Sequence, residues 1–138
     1  QQRVAIARAM ARQPALLLLD EPFSGLDGML RESVRGALLD DLRASRATVL
    51  IVSHDPDEAM SIADDLVLMA DGRILQCGSP ADCYRQPANP TAARLLGDLI
   101  LLPGSIHAGA IETPLGRFPA PGLANGAGLI GLRPNRLA

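Results

Sequence analysis

Four consecutive leucines run straight into two carboxylates, Leu16-Leu17-Leu18-Leu19-Asp20-Glu21-Pro22, and a second apolar run, Val49-Leu50-Ile51-Val52, ends at Ser53-His54. Continuous apolar runs of this length are what strands buried on both faces of a parallel sheet require, because helices then cover the sheet above and below. Open parallel sheets present their chemistry at the carboxyl ends of their strands. The fold class this predicts is α/β, with two acids and a histidine meeting at one sheet edge.

The flanking segments supply the helices. Val4, Ala7, Met10 and Ala11 recur at helical spacing, Arg8 and Arg12 fall off that stripe, and Pro14 closes the segment. After Ser24-Gly25, Asp27 is placed to cap a second helix whose apolar face reads Leu30, Val34, Ala37, Leu38 and Leu42. Asp55-Pro56-Asp57-Glu58 follows the second strand as an N-cap, a proline at the first helical position and an acid at the third, predicting a helix through residues 59–63. Residues 66–70 and 73–76 flank Asp71-Gly72 as a hairpin expected at the sheet's margin. Ser79-Pro80 and Asn89-Pro90 each start a further helix.

Composition then changes. Seven of the 13 glycines and five of the 11 prolines lie in residues 103–138. Short segments such as Gly128-Leu129-Ile130-Gly131-Leu132-Arg133 between so many turn formers predict the start of a small β-barrel-like domain over residues 103–138, after an α/β domain over residues 1–102.

With 138 residues, 48% hydrophobic and 20% charged, the chain holds one ordinary core and part of a second, and disordered or fibrous classes are excluded. All 13 basic residues are arginine, and the net charge of −2 argues against a generalised affinity for nucleic acid or anionic membrane. Cys77 and Cys83 have no nearby Cys/His pair, so reduced thiols are expected rather than a zinc site or a disulfide. No apolar run approaches the roughly 20 residues of a spanning helix. A soluble chain that begins within a domain is expected.

Adjacent Asp and Glu at a strand end suit nucleotide hydrolysis. One carboxylate can hold Mg²⁺, directly or through water, and the other can orient or deprotonate the attacking water. Asp20 takes the metal role and Glu21 the base role. His54, at the end of the neighbouring strand, can reach a γ-phosphate and hold the transferring group and the water in line. Each residue alone has a plainer explanation: Asp20 as a turn cap, Glu21 as a solvated acid, His54 as a surface histidine, Asp27 as a helix cap. Their joint order and spacing favour the chemical reading.

Taken in order, Gln2-Arg3-Val4-Ala5-Ile6-Ala7-Arg8-Ala9, then residues 16–22, then Phe23-Ser24-Gly25-Leu26-Asp27, then Ser53-His54-Asp55 resemble the ATPase subunit of ATP-binding cassette (ABC) transporters. In that family these are the helix after the signature motif, the Walker B strand with its catalytic glutamate, the D-loop and the H-loop. The resemblance implies the C-terminal half of a P-loop, RecA-like ATPase domain. It also implies ATP and Mg²⁺ as cofactors, with Asp20 supporting the metal through water, Glu21 as general base and His54 on the γ-phosphate. Ser24 and Asp27 would help bind nucleotide and couple the two sites of a head-to-tail dimer.

Asp71-Gly72-Arg73-Ile74, Gly78-Ser79-Pro80 and Pro87-Ala88-Asn89-Pro90 are similar to the importer branch, and residues 103–138 to the first part of the OB-like regulatory domain that such importers append. Asn135 stands where an acid is more usual. Leu101-Leu102-Pro103-Gly104 and Glu112-Thr113-Pro114-Leu115-Gly116-Arg117 most resemble the ferric-iron subfamily, with polyamine, sulfate and sugar importers as alternatives. The implied partners are a second ATPase subunit, transmembrane permease subunits and, indirectly, a periplasmic or extracellular solute-binding protein, with no nucleic acid. The implied location is peripheral, on the cytoplasmic face of the inner or plasma membrane. A phosphate-cradling loop needs Gly-rich backbone followed by Lys-Ser/Thr, and the chain contains no lysine. It also lacks the signature motif and the Q-loop, so a C-terminal portion, inactive in isolation, is expected. A catalytically silent dimerisation or regulatory piece is a competing reading, as is a cassette ATPase acting on chromosomes or ribosomes. The absence of coiled coil or a basic linker disfavours the latter.

Overall fold

The computed structural model describes residues 2–24, 28–45 and 47–134, with side chains for residues 4–24, 35–45 and 47–134. Its residues group into two units, Gln1–Ala63 and Asp64–Ala138.

In the first unit helix α1 (Gln2–Met10) leads into strand β1 (Leu16–Asp20), helix α2 (Gly28–Ser45), strand β2 (Thr48–Val52) and helix α3 (Pro56–Ile62). β1 and β2 pair in parallel, Leu16 opposite Thr48 through Asp20 opposite Val52. That register sets the ends of both strands side by side. The core beneath them is Ile6, Leu17, Leu19, Phe23, Leu38 and Leu42, with Ala9, Met10, Leu39, Val49, Ile51 and Ile62 packed around it.

Two of the expected helix stripes differ from the structure, and within this chain the described helices cover one face of the two strands: Leu17 and Leu19 are buried, whereas Leu16, Leu18, Leu50 and Val52 are 51–64% exposed. Successive side chains of a strand point to opposite faces, and the helices of this unit supply one layer of cover. In α1 the inward residue is Ile6, with Ala9 and Met10 beside it, while Val4 is 57% exposed. In α2 Leu38 and Leu42 enter the core as expected, joined by Leu39, whereas Ala37 is exposed; the expected stripe residues Leu30 and Val34 lie outside the residues whose side chains are described. The proposed cap Asp27 lies outside the described residues.

The second unit opens with strands β3 (Leu66–Ala70) and β4 (Arg73–Gly78), paired antiparallel in a two-stranded sheet of their own. Asp71 and Gly72 both have positive φ, 50° and 71°, the backbone that a two-residue type I′ turn demands. Helices α4 (Pro80–Arg85) and α5 (Pro90–Leu95) start as their sequences predict: Ser79 and Asn89 accept from the backbone N–H of Asp82 and Ala92, with proline at the first helical position. They pack against the hairpin and bury Cys83, Ala92 and Ala93.

A four-stranded antiparallel sheet follows, in the order β7 (Gly116–Pro119), β6 (Ala110–Thr113), β5 (Ile100–His107), β8 (Gly126–Leu132). Gly104 and Gly128 face each other across β5 and β8. A Cβ on Gly104 would meet the Glu112 carbonyl at 2.4 Å, and one on Gly128 the Ile106 Cδ1 at 2.6 Å. The sheet can thus fold closely over the buried trio Ile106, Ile111 and Ala120. Small residues at facing positions are how a barrel-like sheet turns its corner. β5 runs across residue 103, where the composition changes.

Candidate functional site

The site grows from the way β1 ends. Asp20 is the last β1 residue and is exposed. Glu21 leaves the strand in the left-handed region, φ 48°, a conformation that costs a non-glycine residue roughly 1–2 kcal/mol. The surroundings hold it there. Its N–H donates to the Val52 carbonyl at 2.9 Å, extending the ladder by one residue. Its carbonyl accepts from both the N–H of Ser24, at 3.1 Å, and the Ser24 hydroxyl, at 2.8 Å. Two residues on, Phe23 is only 1% exposed and anchors the turn in the core. Strain that persists because its neighbours over-determine it is typical of functional sites.

The parallel register places the end of β2 next to this turn. His54 Nδ1 lies 2.6 Å from Glu21 Oε1, across 33 residues of sequence. The imidazole is 81% exposed and the carboxylate 31%. The Glu21 hydrogen bond, then the Glu21 charge, raise the His54 pKa above its ordinary value of 6.5, with smaller help from Asp55 and Glu58 against a slight desolvation. Near neutral pH this favours an imidazolium whose Nδ1–H donates to the carboxylate.

The segment carrying His54 is itself braced. The Asp55 carboxylate caps α3, accepting from the N–H groups of Asp57 and Glu58 at 3.1 Å each. In an ordinary capping box the acid at the third helical position reaches back to the N-cap N–H. Here Ser53 stands between them: the Asp55 N–H donates to Ser53 Oγ at 3.1 Å, and the Ser53 hydroxyl donates to Glu58 Oε2 at 2.5 Å. Glu58 is 6% exposed, the one charged side chain buried among the described residues. The sequence marks Ser53 only as the end of an apolar run and Glu58 as an acid at the third helical position. Only the bend at His54, which the five-residue spacing does not distinguish from an ordinary capping box, turns the pair into a bridge.

Of the site residues expected from sequence, Glu21 and His54 are in contact, Ser24 holds the Glu21 backbone, and Asp20 sits one residue before Glu21 at the same strand end. Asp27 is not described. No group of three or more His, Cys, Asp or Glu able to hold a metal by themselves occurs among the described residues. Mg²⁺ in phosphoryl-transfer sites takes one or two carboxylates, the rest of its shell being water and substrate phosphate. The exposed oxygen ligand of Asp20 fits that partial role.

No family model matches the chain. Curated relatives do. The chain is 50% identical over 118 residues to the Fe(3+) ions import ATP-binding protein FbpC of Mesorhizobium japonicum, covering 86% of this chain and 33% of that protein. It is 46% identical over 139 residues to the protein of the same name from Pseudomonas fluorescens, covering 99% and 39%. To the sulfate/thiosulfate import ATP-binding protein CysA of Synechococcus elongatus it is 45% identical over 116 residues, covering 82% and 34%. The chain thus spans about a third to two fifths of the length of these relatives. Among solved structures, a chain of a metal-chelate type ABC transporter in an inward-facing conformation matches 98% of this chain and 47% of its own length, at a TM-score of 0.57 and 24% identity. That likeness is one of fold: mixed α/β with a parallel sheet and flanking helices, then a small antiparallel sheet. The similarity to import ATP-binding proteins, read first from the order of four motifs, extends over nearly the whole chain.

Proposed function

We propose that this chain carries the carboxylate and histidine side of the ATP-hydrolysing site in the energising subunit of an ABC importer, with ferric iron as the transported ion. The observation that carries the reading is the 2.6 Å contact between Glu21 and His54 at the common end of two parallel strands. It supports a division of labour among the chain's own residues. Glu21, held in a fixed backbone geometry, is the base that orients and deprotonates the attacking water. His54, whose protonated form Glu21 favours, is placed to meet a γ-phosphate and to exchange its carboxylate partner for it when nucleotide binds. Asp20 would hold Mg²⁺ through water, and the metal would supply charge neutralisation at the phosphate oxygens. Ser24 fixes the backbone of Glu21, and Asp27 takes the dimer-facing role.

On this reading residues 1–102 are part of the ATPase domain and residues 103–138 begin the OB-like domain, entered through β5. The partners are a second ATPase subunit, head to tail, and transmembrane permease subunits, with a solute-binding protein acting through them, at the cytoplasmic face of the membrane. Among the described residues no helix is long and apolar enough to cross a membrane. The chain alone is expected to be inactive, because it contains no lysine to place on the nucleotide's phosphates. Ferric iron is favoured because that name recurs among relatives that match 99% of this chain.

The test is Glu21→Gln in the intact subunit assembled with its partners. Loss of a general base costs about 10²–10⁴-fold in rate. The expected result is a kcat lowered by that order with ATP still bound and the dimer closed. Unchanged turnover removes Glu21 from the base role.

A further inference from the structure

Glu58 is the most unusual side chain of the first unit, a carboxylate with 6% exposure. A buried carboxylate is retained only when its oxygens are matched, and removing its partner leaves an uncompensated charge. Glu58 Oε2 accepts the Ser53 hydroxyl at 2.5 Å, the short distance of a charge-assisted bond. The same Ser53 oxygen accepts the Asp55 N–H at 3.1 Å. These bonds grip the residue before His54 and the residue after it. The His54 side chain is 81% exposed, so packing around the ring does little to place it. Its approach to Glu21 depends on how residues 53 and 55 are held.

We propose that Glu58 and Ser53 are positioning residues, a buried brace that sets the backbone on both sides of His54 so that the imidazole meets Glu21. The role in catalysis rests on the function proposed above, whereas the brace itself is a property of the protein without nucleotide. A direct charge effect of Glu58 on the imidazole is the rival account. The charged groups that face His54 are Glu21, Asp55 and Glu58, all of which favour its protonated form. The two accounts separate because hydrogen bond and charge can be removed independently.

In the intact subunit the His54 imidazole is titrated by NMR without nucleotide, its resonance assigned by His54→Gln. Ser53→Ala keeps the Glu58 carboxyl group and removes the bond; the expected result is a His54 midpoint falling back towards 6.5, the ordinary value. Ser53→Thr keeps a hydroxyl and restores the raised midpoint. Glu58→Gln keeps an acceptor for Ser53 and loses the charge; the midpoint stays close to that of the parent. In ATP hydrolysis Ser53→Ala lowers kcat by about tenfold to a hundredfold, with KM for ATP little changed, and Ser53→Thr recovers it. A His54 midpoint unmoved by Ser53→Ala, or one that falls in Glu58→Gln, overturns the brace. If Ser53→Ala does not fold, Glu58→Gln decides alone, since a collapsed midpoint there contradicts the proposal. Because the midpoint is read without nucleotide, the brace can fail while hydrolysis stands. A subunit that does not hydrolyse ATP can equally retain it.

Discussion

The parallel pair β1–β2 and the antiparallel sheet of β5 to β8 differ in what their strand directions bring together: only the first sets a carboxylate against an imidazole at a common strand end. Parallel strands end on the same side, so Asp20, Glu21, Ser53 and His54, separated by 33 residues of sequence, arrive at one edge. In the antiparallel sheet successive strands end on opposite sides, and the residues that matter most are those that let it curl. Gly104 and Gly128 have no room for a side chain and face each other across the sheet. One sheet is therefore constrained at its end and the other across its middle. The two also differ in their uncovered surface: Leu16, Leu18, Leu50 and Val52 form a contiguous apolar face on the parallel pair.

The largest effect expected from this contrast is on association. A two-stranded parallel sheet with an open apolar face and two open edges is a template for pairing. The 138-residue chain on its own is expected to sediment as higher assemblies. Leu18 and Leu50 are directly opposite one another, so Leu18→Thr with Leu50→Thr removes the apolar centre of the face while introducing threonine, a β-branched strand former. The sedimentation distribution should shift towards the monomer. A monodisperse, cooperatively melting parent chain breaks the comparison at this point.

Next in size is the cost of filling the bend. Gly104→Ala sets a Cβ against a backbone carbonyl that cannot turn aside, and overpacking of this kind costs about 1–3 kcal/mol. Tyr84 is the one tyrosine of a chain without tryptophan, and its ring lies under the Arg133 guanidinium, 4.0 Å from the centroid. Its fluorescence therefore reports unfolding of the second unit. The tyrosine midpoint in urea should fall in Gly104→Ala while the His54 resonance, in the first unit, stays in place. A shift of both probes together would mean that the two units unfold as one.

Much of this was legible in the sequence, for identifiable reasons. Helix starts at Asp55, Ser79 and Asn89 were readable because capping is local: a side chain, an N–H two or three residues on, and a proline that fits the first turn. The Asp71-Gly72 turn was readable because few residue pairs accept two positive φ values. The meeting of Glu21 with His54 at one edge followed from strand direction. The outward placement of Val4 and Ala37 was not readable, since a stagger of one residue along a helix moves a single apolar side chain off the core stripe. Nor was the brace of Ser53 and Glu58, because a capping box and a bridge to the preceding strand have the same sequence signature. The left-handed backbone of Glu21 left no mark either, as nothing in a glutamate announces a positive φ.

The smallest effect concerns the strand ends themselves and separates an ion pair from a neutral hydrogen bond. The folded protein raises the His54 pKa through Glu21, so His54 binds its proton more tightly when folded than when unfolded. The stabilisation this gives is complete below the unfolded value of about 6.5 and disappears as the pH rises through the higher folded value. Both groups are partly or largely exposed and salt screens them, so the contribution is modest. In thermal melts at low salt, Glu21→Gln should melt below the parent at pH 6, and the gap should close as the pH rises past the folded midpoint of His54. Added salt should narrow the gap on the acidic side. Were the gap instead to widen with pH, the pair would be acting with a neutral imidazole, and the end of the parallel sheet would hold no cation for a phosphate to find.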